Sequence, residues 1–178
     1  MSMIAYLKYS AALAAWITSE VLKAGENGRK LLFVNEDEQI FYIQHKGLCA
    51  YADRYLHNLI DYRNVHLFDC AGDNLAKKLT CTVDSEIEPT LYITGVTVTR
   101  SKLDGRRRVE TKYTEFAAKD GNRYYVMTDL LKPLIIYNKC SRYIEMEYIL
   151  HNNMIYAVSA GETVAVFGAA QFKDGDTK

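Results

Sequence analysis

No two cysteines in this sequence lie close together. Cys49, Cys70, Cys81 and Cys140 are widely spaced, and none belongs to a C-x-x-C pair. In a chain of 178 residues they do not make a disulfide framework. A reducing compartment is the expected home, the cytoplasm or the interior of a host cell. Net charge is missing too, because 22 Lys and Arg balance 22 Asp and Glu. A neutral chain has no global field to draw it to nucleic acid or acidic lipid, so any such contact must come from a local patch. No stretch is long and apolar enough to span a bilayer, and no membrane partner is expected. The opening residues, "MSMIAYLKYSAALAAWITSE", lack a basic leader, and Lys8 interrupts their apolar run. They are read as part of the fold rather than as a secretion signal.

Signatures of catalysis are equally scarce. There is no glycine loop of the kind that cradles phosphates. Ser159, in "AVSAG", lacks the leading glycine of a nucleophile elbow and reads as a structural serine within a strand. Cys140 and His151 fall in one region, but sequence proximity does not make a nucleophile and its base. His66, Cys70 and Cys81 lack the close ligand pairs that mark a zinc site. Glu145 and Glu147 alternate along a strand and point the same way, which reads either as a glycosidase-like carboxylate dyad or as the commoner Glu-x-Glu of a solvent face. The expectation is a non-enzymatic protein with neither metal nor cofactor.

What is present is sheet. Hydrophobic residues make up 49% of the chain, enough for a real core, and the 14 tyrosines favour a pleated, half-buried surface. Met3 to Tyr9 reads as a strand. Ser10 can cap a following helix over 11–24, whose stripe is Leu13, Ile17, Val21 and Ala24, with Gly25 as its stop. Leu31 to Val34, Gln39 to His45 and Leu48 to Tyr55 read as strands. In the middle of the chain, "NVHLF" and "KKLTCTV" read as short strands around the turn "CAGDN". Thr90 to Lys102 and Arg106 to Phe116 form a hairpin about Asp104-Gly105, a strong two-residue turn signal. "KDGN" marks another turn.

From Arg123 the first pattern recurs. Tyr124 to Met127 reads as a strand, and Thr128 can cap a helix with the stripe Leu130, Leu134 and Tyr137. Pro133 removes a backbone hydrogen bond, so this helix is expected to be short or bent. Arg142 to Ile149, Met154 to Ser159 and Thr163 to Ala169 follow as strands, with "LHNN" as a turn. The division is therefore a single domain, 1–178: a first unit at 1–60, middle strands and hairpin at 61–121, a second unit at 122–172 and a tail at 173–178. Each unit reads strand, helix, strand, strand, strand. One such unit is too small to bury its apolar face alone. Two sharing an interior would give an α+β fold, duplicated β-α-β-β-β units in a mainly antiparallel sheet with two helices on one face.

The phrase "IFYIQHKGLCAYADRYL", Ile40 to Leu56, following a strand and a helix, resembles the DNA sliding clamps and the phage and herpesvirus polymerase processivity factors. The resemblance covers residues 3–56 and 123–172 and rests on pattern. It implies a clamp-like fold whose helices face duplex DNA. The polar faces of 11–24 and 128–139 would then meet phosphates through Lys8, Lys23, Lys30, Lys132, Lys139 and Arg142. It also implies a partner protein such as a polymerase. The chain holds enough for one clamp domain, so encirclement would need a homo-oligomer, and a single copy would be an open binder.

One local patch is positive, and it reads either as a phosphate-contacting or partner-docking finger or as a solubilising hairpin tip whose charges discourage edge pairing. "RSKLDGRRRVETK" gathers Arg100, Lys102, Arg106, Arg107, Arg108 and Lys112 around one turn, opposed only by Asp104 and Glu110. No aromatic lies among them, which argues against stacking on single-stranded bases. Two other readings compete. A viral or phage structural or adaptor protein would bind a partner through an exposed sheet edge. "MIYAVSAG" also resembles the strand after the nucleophile of viral chymotrypsin-like cysteine proteases. Their Gly-x-Cys-Gly-Gly signature is absent, with Glu145 to Glu147 about where the cysteine would stand, so such a protein would be inactive or would run other chemistry on that scaffold.

Overall fold

The computed structural model describes residues 11–16, 29–34, 39–44, 49–53, 67–69, 78–79, 83, 86–135 and 146–172. These form a mostly β, α+β fold. Its strands are β1 (Arg29–Val34), β2 (Gln39–Gln44), β3 (Cys49–Asp53), β4 (Leu67–Asp69), β5 (Thr90–Asp104), β6 (Arg107–Ala118), β7 (Arg123–Met127), β8 (Met146–His151), β9 (Met154–Ser159) and β10 (Glu162–Gly168). All ten join one sheet in the order β4-β1-β2-β3-β10-β9-β8-β5-β6-β7. β4 runs parallel to β1, and every other pairing is antiparallel.

The middle of this order is a palindrome. β1-β2-β3 is an antiparallel meander, β8-β9-β10 is another, and their last strands pair with each other: Ala165 opposes Tyr51, and Phe167 opposes Cys49. At the far end the sheet also meets itself. Tyr125 on β7 and Ala170, two residues past β10, exchange both backbone hydrogen bonds, at 2.8 and 2.9 Å. The pairing path β10-β9-β8-β5-β6-β7 therefore closes at that point. This occupies part of an edge that would otherwise offer bare N–H and C=O groups.

Two helical segments line one face. Residues 11–16 form the first, α1. The second begins as a 3₁₀ turn at Thr128–Leu131 and becomes α-helical over 132–135, here α2. The switch at Lys132 immediately precedes Pro133, whose ring and missing N–H suit the start of an α-helical turn better than its interior. Leu13 and Ala14 from α1, with Leu130, Leu131 and Leu134 around α2, enter the same buried cluster as Tyr51, Phe116, Tyr148, Ile155 and Phe167 from the sheet. Among the described residues, no helix is long and apolar enough to cross a membrane.

Tyr51 ties this cluster together. It is fully buried, and its ring meets Trp16 of α1 edge-on at 5.5 Å and Phe167 of β10 at 5.6 Å. Its hydroxyl donates to the carbonyl of Leu130. One side chain thus touches the first helix, the second meander and the turn leading into the second helix. The apolar body and polar tip of tyrosine suit that task, because a buried hydroxyl needs a partner.

Local sequence explains the connections. β8 and β9 are joined by Asn152-Asn153, both at positive φ, the pattern of a type I′ hairpin turn. β9 and β10 are joined by Ala160-Gly161 in the same pattern, at φ values of 52° and 80°. The left-handed region suits glycine and asparagine but strains alanine. Two local expectations need correction. Thr128 does not cap α2: it lies inside the 3₁₀ turn, and its hydroxyl pairs with that of Thr114 at 3.0 Å. "KKLTCTV" is helical rather than extended at Lys78 and Leu79, in keeping with the helix preference of lysine and leucine. The expected strand at Met3–Tyr9 and the remainder of the first helix lie outside the described residues.

Two substitutions test this packing in opposite directions. Phe167→Ala, at a position with 0% exposure, should lower unfolding stability by about 3–5 kcal/mol. Ala160→Asn relieves left-handed alanine at an exposed turn and creates Asn-Gly. It should raise stability by about 0.5–1 kcal/mol in the same urea titration.

Candidate nucleic-acid interface

β5 and β6 are paired over most of their length, from Leu91 opposite Ala118 to Asp104 opposite Arg107. The base of this pair is core: Leu91, Phe116, Ala117 and Ala118 are buried. Its outer half is not. Residues 101–110 are all exposed, so both strands leave the protein as a free two-stranded ribbon. The two loop residues are Gly105 and Arg106, one position later than the sequence signal Asp104-Gly105 suggested. Gly105 takes φ +61°, as a primed turn with glycine in its first place requires, and Asp104 closes the ladder opposite Arg107.

The register decides where the basic groups go. Directly paired residues of antiparallel strands share a face, and successive residues alternate. Lys102 and Val109 share one face with Asp104 and Arg107, while Leu103 and Arg108 share the other with Thr99 and Lys112. The ribbon is thus armed on both faces, with Arg106 at the tip.

Arg100 is placed differently from its neighbours. Its guanidinium carbon lies 3.7 Å from the centre of the Phe172 ring, a cation–π contact at the ribbon's base. Phe172 also stacks on Tyr125 at 4.4 Å and meets Tyr113 edge-on at 5.1 Å. Arg100 is partly buried and holds the C-terminal strap against β7, so it belongs to the ribbon's mounting rather than its tip. Lys132 is exposed on α2, and its Nζ is 2.9 Å from Asp129 Oδ1. A solvent-exposed pair of this kind adds little stability. Lys8, Lys23, Lys139 and Arg142 lie outside the described residues.

The feature that sequence reasoning missed is Glu115. It sits on β6, where β5 bulges: between Ile93 and Thr97 the register slips, with Gly95 at φ +82° and the Val96 N–H donating to Thr94 Oγ1 at 3.2 Å. Glu115 is only 2% exposed. Its carboxylate accepts from Arg123 Nη1 at 2.8 Å and from the Tyr125 hydroxyl at 3.1 Å, both on β7. Burial pushes the carboxyl pKa up. Hydrogen bonds from Arg123, Thr94 and Tyr125, together with the Arg123 charge, outweigh it and hold the group below the ordinary carboxylate value. A charged residue in an otherwise buried stretch of β6, eight positions before an arginine, was the available signal.

Other candidate chemistry falls away or lies elsewhere. Ser159 is buried at the end of β9. His151 places Nδ1 at 2.8 Å from Glu88 and Nε2 at 2.7 Å from the Asn152 amide, at the mouth of the β8–β9 turn. Cys140, His66, Cys70, Cys81 and Glu145 lie outside the described residues, and Glu147 is exposed on β8. Among the described residues, no three His, Cys, Asp or Glu side chains group as a metal site. No protein family, curated protein or solved structure gives a significant match to this chain.

Glu115 generates a pH prediction. Its lowered folded-state pKa contributes stability that is present above the unfolded value, near 4.3, and is lost as pH falls through the folded pKa. Glu115→Gln should therefore be less stable than the parent at pH 7. The gap should shrink as denaturant unfolding is repeated at successively lower pH values below about 4. A gap that stays constant down to pH 2 would contradict this assignment.

Proposed function

We propose that this protein is a non-enzymatic, duplex-DNA-associated factor, clamp-like in its paired half-units, that holds a partner protein such as a polymerase on DNA. The observation that carries the reading is the exposed 101–110 ribbon, where Lys102, Arg106, Arg107 and Arg108 project from a neutral chain. Their charge makes a local positive field that the whole molecule lacks. Lysine and arginine on both faces suit contacts to phosphate oxygens, which position a protein on a duplex without reading its sequence. A two-stranded β-ribbon is also an element that proteins place in the major or the minor groove of DNA.

The clamp-like part of the reading is supported by the palindrome β1-β2-β3-β10-β9-β8 and by the shared cluster of both helical segments. Two equivalent half-units related by a local two-fold axis between β3 and β10 would produce this order. The equivalence ends at the outer strands: β4 lies parallel to β1, whereas β5 lies antiparallel to β8. The basic ribbon is built from that non-equivalent middle segment. In this reading DNA contact is concentrated on an appendage of the paired units, and encirclement would require several copies of the chain.

Titration of a fluorescent duplex across a salt series tests the proposal. Weak binding at low salt should fall steeply as salt rises. Replacing Arg106, Arg107 and Arg108 together by Glu should weaken it at least about tenfold and lower the log–log salt slope by up to roughly three. Absence of binding at low salt would remove the DNA reading and leave the adaptor.

A further inference from the structure

The ribbon carries two apolar residues that phosphate binding does not explain, and Leu103 is the more exposed. Leu103 is 72% exposed, beside the turn and directly opposite Arg108. A large apolar side chain at the end of a projecting arm has no core to join. The ladder continues to Asp104 opposite Arg107, so the backbone at Leu103 is regularly paired. Val109, 45% exposed, stands on the opposite face beside Lys102. The arm therefore couples each exposed apolar side chain to a basic one across the strands.

The division of charge narrows what such an arm can meet. A protein lying flat on a polyanionic surface would arm one face of its ribbon. Here Lys102 and Arg107 share one face with Asp104, Arg108 and Lys112 share the other with Glu110, and Arg106 holds the tip, so each face keeps a net positive charge. Charges pointing both ways fit a slot with phosphates on two sides, which is what a duplex groove provides. Within the groove, an exposed leucine has an apolar destination between stacked base pairs. Proteins that insert such wedges from the minor groove unstack a step and kink the duplex.

Resting on the proposed DNA association, we infer that the β5–β6 ribbon is a groove-entering arm that bends duplex DNA, with Leu103 as the wedge and Lys102, Arg106, Arg107 and Arg108 on the flanking phosphates. The mount suits this role. The buried Glu115 network and the Arg100–Phe172 contact fix the base of the arm. Force applied at the tip is thereby borne by the core.

Energy transfer between dyes on the two ends of a duplex of about 30 base pairs, measured with the full-length protein, tests the inference. The parent protein should bring the ends together. Leu103→Ser should bind within about threefold of the parent yet leave the duplex nearly straight. Ile135→Ser, an exposed apolar control on α2, should bend the duplex as the parent does. Binding by the parent without bending, or full bending by Leu103→Ser, would overturn the wedge and leave the DNA association standing. Failure of the parent to bind duplex at low salt would overturn both.

Discussion

The architecture depends on the seam between β3 and β10. Among the described strands it is the sole pairing that joins β4-β1-β2-β3 to the six strands from β10 to β7, and it spans only three residue pairs. A seam so short needs reinforcement by side chains, and Tyr51 supplies it. Its ring is held by Trp16 on one side and Phe167 on the other, while its hydroxyl reaches Leu130. Burial of a large aromatic and satisfaction of its polar tip act together here. The ring contact couples the two meanders, and the hydroxyl ties them to the turn before α2.

From that seam the sheet proceeds through β9, whose residues Ile155 to Ser159 are buried in succession, to the β5–β6 pair. There the same two strands change character along their length. Residues 115–118 of β6 are buried and Leu91 of β5 joins them, whereas 101–110 are exposed on both strands. The change falls at the bulge, where Glu115 is locked to Arg123 and Tyr125. A bulge bends and twists a strand, and an ionised, fully bonded carboxylate beside it fixes the bend. A buried, hydrogen-bonded carboxylate thus sits at the root of an exposed ribbon.

Much of this was legible in the residues. Alternation of Thr, Val and Ile marked β5, and Asp-Gly placed its turn to within one residue. The two meanders were visible as repeated apolar runs split by polar turns. What could not be read was tertiary. The pairing of β3 with β10 joins residues more than a hundred positions apart, and no local pattern encodes it. Thr128 has the residue type of a cap, but a cross-strand hydroxyl partner, Thr114, claims it. Arg100 looked like one more charge at the tip until Phe172, some seventy positions downstream, came over its guanidinium. The six-residue cluster of basic side chains was correct as composition. Its split over two faces is a consequence of register, which follows from where the turn falls.

The central claim is that the exposed arm, rather than the helical face, meets the duplex. Amide hydrogen exchange with and without saturating duplex at low salt tests it most directly. The account predicts new protection over residues 101–110, with little change at 128–135. Protection confined to the helical segments, with the arm exchanging as freely as before, would contradict it.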